Sequence, residues 1–326
     1  MRWVPSVLLG LLVACRNAPT PENREETPQT QRPVVASAIS PAPADGVIWL
    51  TPPASGIAFP ASLVTTKEAA FLVWVEPFKE GVSQGGRVRI ARYAAQAWSE
   101  AVTVVDNERL LVNWADVPAL AVNGEQLVVT WTELAGEGMN LLAAKSTDQG
   151  KTFVSLGPIH AGRDQVERGF ATILPEASGF RLLWLDGKAG APMRLATAFL
   201  GERITQENIL DERVCDCCSI AATQVADTTL VAYRDRSADE IRDIALGRLL
   251  VSEKQAFVSN LLHADGFRVS GCPVNGPALL SEKDGKRVAA LWYTYPKEEA
   301  KVRIGFSEDG GKSFGAPIDL QAPLPG

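Results

Sequence analysis

Residues Phe71–Pro77 read FLVWVEP, and the same kind of text returns four times. LVVTWTE carries Trp131, RLLWLDG carries Trp184, LVAYRDR carries Tyr233 and AALWYTY carries Trp292. Counted from Trp74, the aromatic residues stand 57, 53, 49 and 59 positions apart. Each run is apolar at consecutive positions, as expected of a strand covered on both faces. Working outward, an Ala/Val/Pro-rich run precedes the aromatic one (VPALAV, NGPALL). A third run follows (RVRIARY, NLLAAKS, MRLATAF, RDIALGR, VRIGFSE), and a short fourth closes the unit (AVTVVD, SLGPIH, APIDL). Turn residues separate the runs, and no long stretch has a helical period. A period of about 54 residues holding four strands predicts an all-β propeller of four-stranded antiparallel blades. Five units are visible, and the length leaves room for a degenerate sixth. GVIWLTPP (46–53) is read as a strand that closes the ring beside the last blade.

Two turns share a second pattern. STDQGKTF (Ser146–Phe153) and SEDGGKSF (Ser307–Phe314) both contain Gly-Lys-Ser/Thr. A phosphate-binding loop needs a further Gly five residues before the second one. Lys145 and Phe306 stand there instead. Each motif begins 15 residues after its aromatic, so both occupy the turn between third and fourth strands. In each, an Asp accepts from turn N–H groups, a Gly tolerates positive φ and a Phe tucks beneath. Ser146, Asp148, Gly150, Thr152, Phe153 and Ser307, Asp309, Gly311, Ser313, Phe314 are therefore read as structural. LVSEKQAF (Leu250–Phe257) is read as a worn copy.

These motifs resemble the Asp-boxes, or BNR repeats, of the sialidase-type propeller family, and the resemblance covers residues 46–326. It implies a carboxylate-binding arginine triad, a Tyr–Glu nucleophile pair and an Asp acid/base. Ala58, in IAFPASL, stands where the first of those arginines is expected. Ala offers no bidentate grip on a carboxylate.

The chain has 326 residues, 46% of them hydrophobic, with a formal net charge of −6. That balance argues against a nucleic-acid partner. Residues 1–14 read as a signal peptide: Arg2, an apolar core from Trp3 to Val13, then a lipobox-like Leu12-Val13-Ala14-Cys15. Cys15 is the expected lipidation site. Residues 15–45 are rich in Pro, Thr, Glu and Gln and read as a disordered tether. The expected setting is the bacterial cell envelope, with the propeller (46–326) lipid-anchored to a membrane.

Charge patterning nominates binding residues. Glu76, Glu133, Asp186 and Asp235 end the aromatic strands, and Arg89, Arg194, Arg242 and Arg303 begin the next ones. Such acids and arginines can pair across strands. Glu133 faces Asn140 in place of Arg, and Arg303 faces Thr294 in place of an acid. Both are thus read as unpaired and able to bind a ligand. Arg168, Arg234, Asp235, Arg236, Glu240, Arg242 and Tyr293 complete the candidates, with Tyr233 and Tyr295 beside them.

Four cysteines follow Cys15: Cys215, Cys217 and Cys218 in VCDCCSIAAT, and Cys272 in GCPVNGPALL. Export favours disulfides, and Cys217 or Cys218 joined to Cys272 would tie blade four to blade five. Strand alternation would put Cys215 and Cys217 on one face and Cys218 on the other. The rival is a thiolate site for Zn or Cu(I), with no other cofactor implied. His160 and His263 lie far from the motif in sequence. The leading functional expectation is a propeller that binds a glycan or an envelope protein without turnover. The alternatives are an exo-glycosidase with a modified carboxylate site and a cysteine-dependent metal or redox accessory protein.

Overall fold

A computed structural model describes residues 50–59, 61–162, 165–250 and 256–320. The leader, Cys15, the tether and most of the worn turn copy lie outside these residues, as does 46–49 of the expected ring-closing strand. Leu50–Pro53 carry no strand.

The described residues form five consecutive four-stranded antiparallel blades, and no sixth is seen among them. Blade one holds β1 (Ser62–Thr65), β2 (Ala70–Pro77), β3 (Gln84–Ala94) and β5 (Val102–Leu111), with β4 (Ala97–Trp98) a short hairpin on β3. Blade two holds β6 (Ala119–Asn123), β7 (Gln126–Ala135), β8 (Gly138–Ser146) and β9 (Val154–Pro158). Blade three holds β10 (Arg168–Glu176), β11 (Gly179–Lys188), β12 (Ala191–Leu200) and β13 (Ile204–Val214). Blade four holds β14 (Ala221–Val225), β15 (Thr228–Arg234), β16 (Ile244–Leu250) and β17 (Phe257–Leu261). Blade five holds β18 (Ala278–Ser281), β19 (Val288–Thr294), β20 (Lys301–Ser307) and β21 (Ile318–Asp319). Blades one and two are also linked by one residue pair, Leu110 with Glu133.

Four apolar cores fill the seams between successive blades. The second strand of each blade feeds two of them by simple alternation. In β11, Leu182 and Trp184 enter the seam with blade two, while Leu183 and Leu185 enter the seam with blade four. Trp131, Trp184, Tyr233 and Trp292 all face the preceding blade. Truncating one such buried aromatic to Ala typically costs about 3–5 kcal/mol.

The two sequence-identified turns have matching hydrogen bonds. Asp148 Oδ1 accepts from the N–H of Lys151 and of Thr152, each at 3.0 Å, and Oδ2 accepts from Thr152 Oγ1 at 2.6 Å. Asp309 repeats this with Lys312 and Ser313. Ser146 and Ser307 each accept from the following Gly N–H at 2.9 Å. Gly150 and Gly311 have φ of +84° and +76°. The Thr152 hydroxyl and N–H hold the Asp148 carboxyl down at about 2. Phe153 and Phe314 pack against the first and last seams.

Antiparallel order puts these turns at one end of every blade. The second-to-third-strand turns and the connections entering each first strand share the opposite end, where the chemistry-bearing residues collect.

Candidate functional site: a sulfur cluster clamped by arginines

The connection from β13 to β14 carries VCDCC. It is a turn, not a strand, so the alternation expected for its cysteines does not apply. Val214 bridges Asp235, and Cys215 N–H donates to Arg234 O at 2.9 Å, pinning the turn to the end of β15. Cys217 forms a disulfide with Cys272 from the segment entering blade five. Cys215 and Cys218 are free thiols, 0% and 2% exposed, with their Sγ atoms 3.4 Å apart. The Sγ atoms of Cys215, Cys217 and Cys218 all lie within 4.8 Å of one another, with the Cys217 sulfur taken by its disulfide.

Charged residues from YRDRSADEIRD clamp this turn. Arg242 Nη1 donates to Cys215 Sγ at 3.2 Å, and Nη2 to Glu240 Oε2 at 2.8 Å. Glu240 accepts from Arg236 Nε and Nη2 at 3.1 Å. Arg236 Nη1 then returns to Asp216 Oδ2 at 2.8 Å, inside the cysteine motif. The hydrogen bond from Cys218 holds the Cys215 thiol below its ordinary range against burial, helped by the Cys217 N–H and Arg242. The same bond and burial push the Cys218 thiol up.

Arg234 lies behind the sulfurs, 2% exposed. It donates to three carbonyls: Arg242 O at 2.7 Å, Asn275 O at 2.7 Å and Tyr293 O at 2.9 Å. Its guanidinium stands 5.3 Å from the Phe267 ring centroid. Phe267 in turn meets Tyr293 and Tyr295 edge-on.

The two residues expected to be unpaired are not. Glu133 is 4% exposed and accepts from Trp131 Nε1 at 2.9 Å, Asn107 Nδ2 at 3.0 Å and Arg109 Nη2 at 3.3 Å. Arg303 pairs with Asp319 at 2.7 Å and with Asp265. Asp265 also accepts from Trp292 Nε1, supplying from another loop the acid that Thr294 lacks. The cross-strand pairing holds for Asp186 and Arg194, which sit directly opposite and form an ion pair. It is looser for Glu76 and Arg89, 3.7 Å apart, because Glu76 lies opposite Arg87. It fails for Arg242, which turns to Glu240 and Cys215 instead of Asp235. Arg168 is buried on Asp186 at 2.8 Å. Together with Arg194 and Glu207 these two line an open cavity of about 420 Å³ on blade three. Tyr233 is buried, donates to Asp211 at 2.7 Å, and burial pushes its phenol far up.

Sequence reasoning missed two carboxylates at the same end, Glu167 and Asp116, and had nominated a third, Asp235. Glu167 is raised by burial and by the charge of Asp216, and burial likewise raises Asp235. Asp116 is half-buried, but its carboxylate points inward and accepts from Thr132 Oγ1 and Phe170 N–H, each at 2.8 Å. Any side chain at Gly169 would collide with it. Burial raises its carboxyl from 3.8 to about 6 against those two hydrogen bonds. The fold therefore holds that proton more tightly than the unfolded chain does. Stability from this group falls as pH rises from about 4 to about 6, leaving a penalty of up to about 3 kcal/mol above that. Asp116→Asn should thus melt higher than the parent at pH 8 and lose that advantage at pH 4. Equal melting differences at both pH values would refute the assignment.

No protein-family model matches the chain, and no curated protein matches it. Among solved structures, it is similar to a protein of unknown function from Dyadobacter fermentans, with TM-score 0.53 and 12% identity, over 81% of this chain and 83% of that one. A thermostable family-43 glycoside hydrolase aligns with TM-score 0.49 and 10% identity, over 83% and 97%. A β-1,2-mannobiose phosphorylase from Listeria innocua aligns with TM-score 0.47 and 11% identity, over 78% and 90%. At 12% identity the likeness to the Dyadobacter protein is one of fold alone.

Proposed function

We propose that this protein is an exported, lipid-tethered propeller that works through the sulfur cluster between blades four and five, as a metal- or thiol-dependent accessory protein of the envelope. One observation carries the reading: two buried free thiols 3.4 Å apart, enclosed by a chain of ion pairs that begins and ends in their own turn. The lipobox-like Leu12–Cys15 and the tether support the setting. The charged residues nominated for a glycan are engaged with one another, so a binding role for them has less support.

The test is a count of thiols and metal on the full chain made in an oxidising compartment. The expected result, Cys15 aside, is two thiols titrating after unfolding without reductant and two more after reduction. Four oxidised cysteines would make the cluster a pair of staples and sink the reading.

A second reading, glycoside hydrolysis, has one observation in its favour. Burial, and to a lesser extent the Asp216 charge, raise the Glu167 carboxyl, the direction a general acid requires. Release of the aryl group from a panel of aryl glycosides, abolished by Glu167→Gln, would favour it over the sulfur reading.

A further inference from the structure

We propose that Cys215 and Cys218 form a two-thiolate site for a soft monovalent d10 ion, Cu(I), beside the Cys217–Cys272 disulfide. This rests on the reading that the sulfur cluster is the working centre.

Three observations point to this ion. The first is the donor set. The two sulfurs are 3.4 Å apart, and opening that gap by about 1 Å would seat a two-coordinate ion on two metal–sulfur bonds of about 2.3 Å. Thiolates select soft ions such as Cu(I), for which two of them suffice, whereas Zn(II) in a structural site takes four donors. Among the described residues, the nearest further donors are engaged. Cys217 is bonded to Cys272, and Asp216 is engaged with Arg236. His160 bonds Gly162 O, and His263 bonds Asp265.

The second observation is charge. Arg234 is buried, and its hydrogen bonds go to neutral carbonyls. A buried cation is costly without an opposite charge nearby. Arg242 adds a second guanidinium directly on Cys215 Sγ. Loading is written Cu⁺ + 2 RSH → [Cu(SR)₂]⁻ + 2 H⁺, which leaves one net negative charge between two guanidiniums. Zn(II) on the same two thiolates would be neutral and leave Arg234 without a counter-charge.

The third is rigidity. The ion-pair chain from Asp216 through Arg236 and Glu240 to Arg242 fixes one side of the turn, and the disulfide fixes the other. The backbone of the turn is thus held in place, and loading requires only that the two thiol side chains swing apart by about 1 Å.

The experiment titrates the full, disulfide-intact chain with Cu(I) under ascorbate and without oxygen, against a chromophoric Cu(I) chelator. The expected result is one Cu(I) per chain, with a near-ultraviolet sulfur-to-copper absorption. Cys215→Ser and Cys218→Ser should each abolish uptake while keeping the parent far-ultraviolet circular dichroism. Arg242→Met removes a contact to the ligand rather than the ligand itself, and should weaken binding by about 10–100-fold. Uptake that persists in the Cys215→Ser/Cys218→Ser double variant would overturn the proposal. So would stoichiometric Zn(II) held through the same two cysteines, although the sulfur-centre reading would survive. If neither metal binds but the thiols form mixed disulfides with a small disulfide reagent, the copper proposal falls and a thiol-exchange role stands. If the thiols bind no metal and do not react, both fall.

Discussion

Arg234→Met should destabilise the seam between the last two blades by about 3–5 kcal/mol. The wild-type guanidinium reaches from the end of β15 to carbonyls on β19 and on the segment entering blade five. It also caps Arg242 O at the start of the clamp. Methionine fills similar volume and removes the donor to three carbonyls. Each such loss typically costs about 1–3 kcal/mol. Lysine keeps the charge but cannot present a planar fork to three acceptors, so Arg234→Lys should fall between the two. Urea denaturation of the three proteins at one pH measures this. A methionine variant within about 1 kcal/mol of the parent would show that the carbonyls find other partners.

Removing the disulfide should have a comparable effect. Cys217 and Cys272 are 55 residues apart in sequence, and the loop they close encloses the whole of blade four. Chain-entropy arguments for a loop of that length give about 4 kcal/mol. The Cys217→Ser/Cys272→Ser variant is therefore expected to lose that much in guanidinium unfolding, with a smaller added loss when Arg234→Met is combined with it. The two devices join the same elements, so their effects should not add. A change below about 1 kcal/mol in the double serine variant would mean that the unfolded chain is barely constrained by the bridge.

Much of the architecture was legible because it is local. Alternation along RLLWLDG dictates that neighbouring residues enter opposite seams, and Trp184 and Leu185 do so. The Asp148 and Asp309 turns were readable because every partner lies within four residues of the Asp. The join between Cys217 and Cys272 was among the pairings foreseen, because both segments precede first strands of successive blades. The errors over Glu133 and Arg303 have one source. Glu133 and Arg303 looked unpaired because only the facing strand was considered. Their partners arrive from elsewhere: Asn107 and Arg109 from the preceding blade, Asp265 from the loop entering blade five. Asp116 carried no sequence signal, because its raised carboxyl depends on burial by the fold and its hydrogen-bond partners include Phe170, some fifty residues later.

From residue order alone came the five-fold repeat, the double-faced aromatic strands, the self-contained Asp turns and the expectation of an exported, tethered chain. Each rests on interactions between near neighbours or on composition, which folding does not rearrange. Only the tertiary structure decided which charges meet, which two cysteines stay free, and that the YRDRSADEIRD turn closes around them. Those outcomes depend on which loops the blade geometry brings to one end, and on burial, which alone makes an unneutralised guanidinium or thiol pair matter.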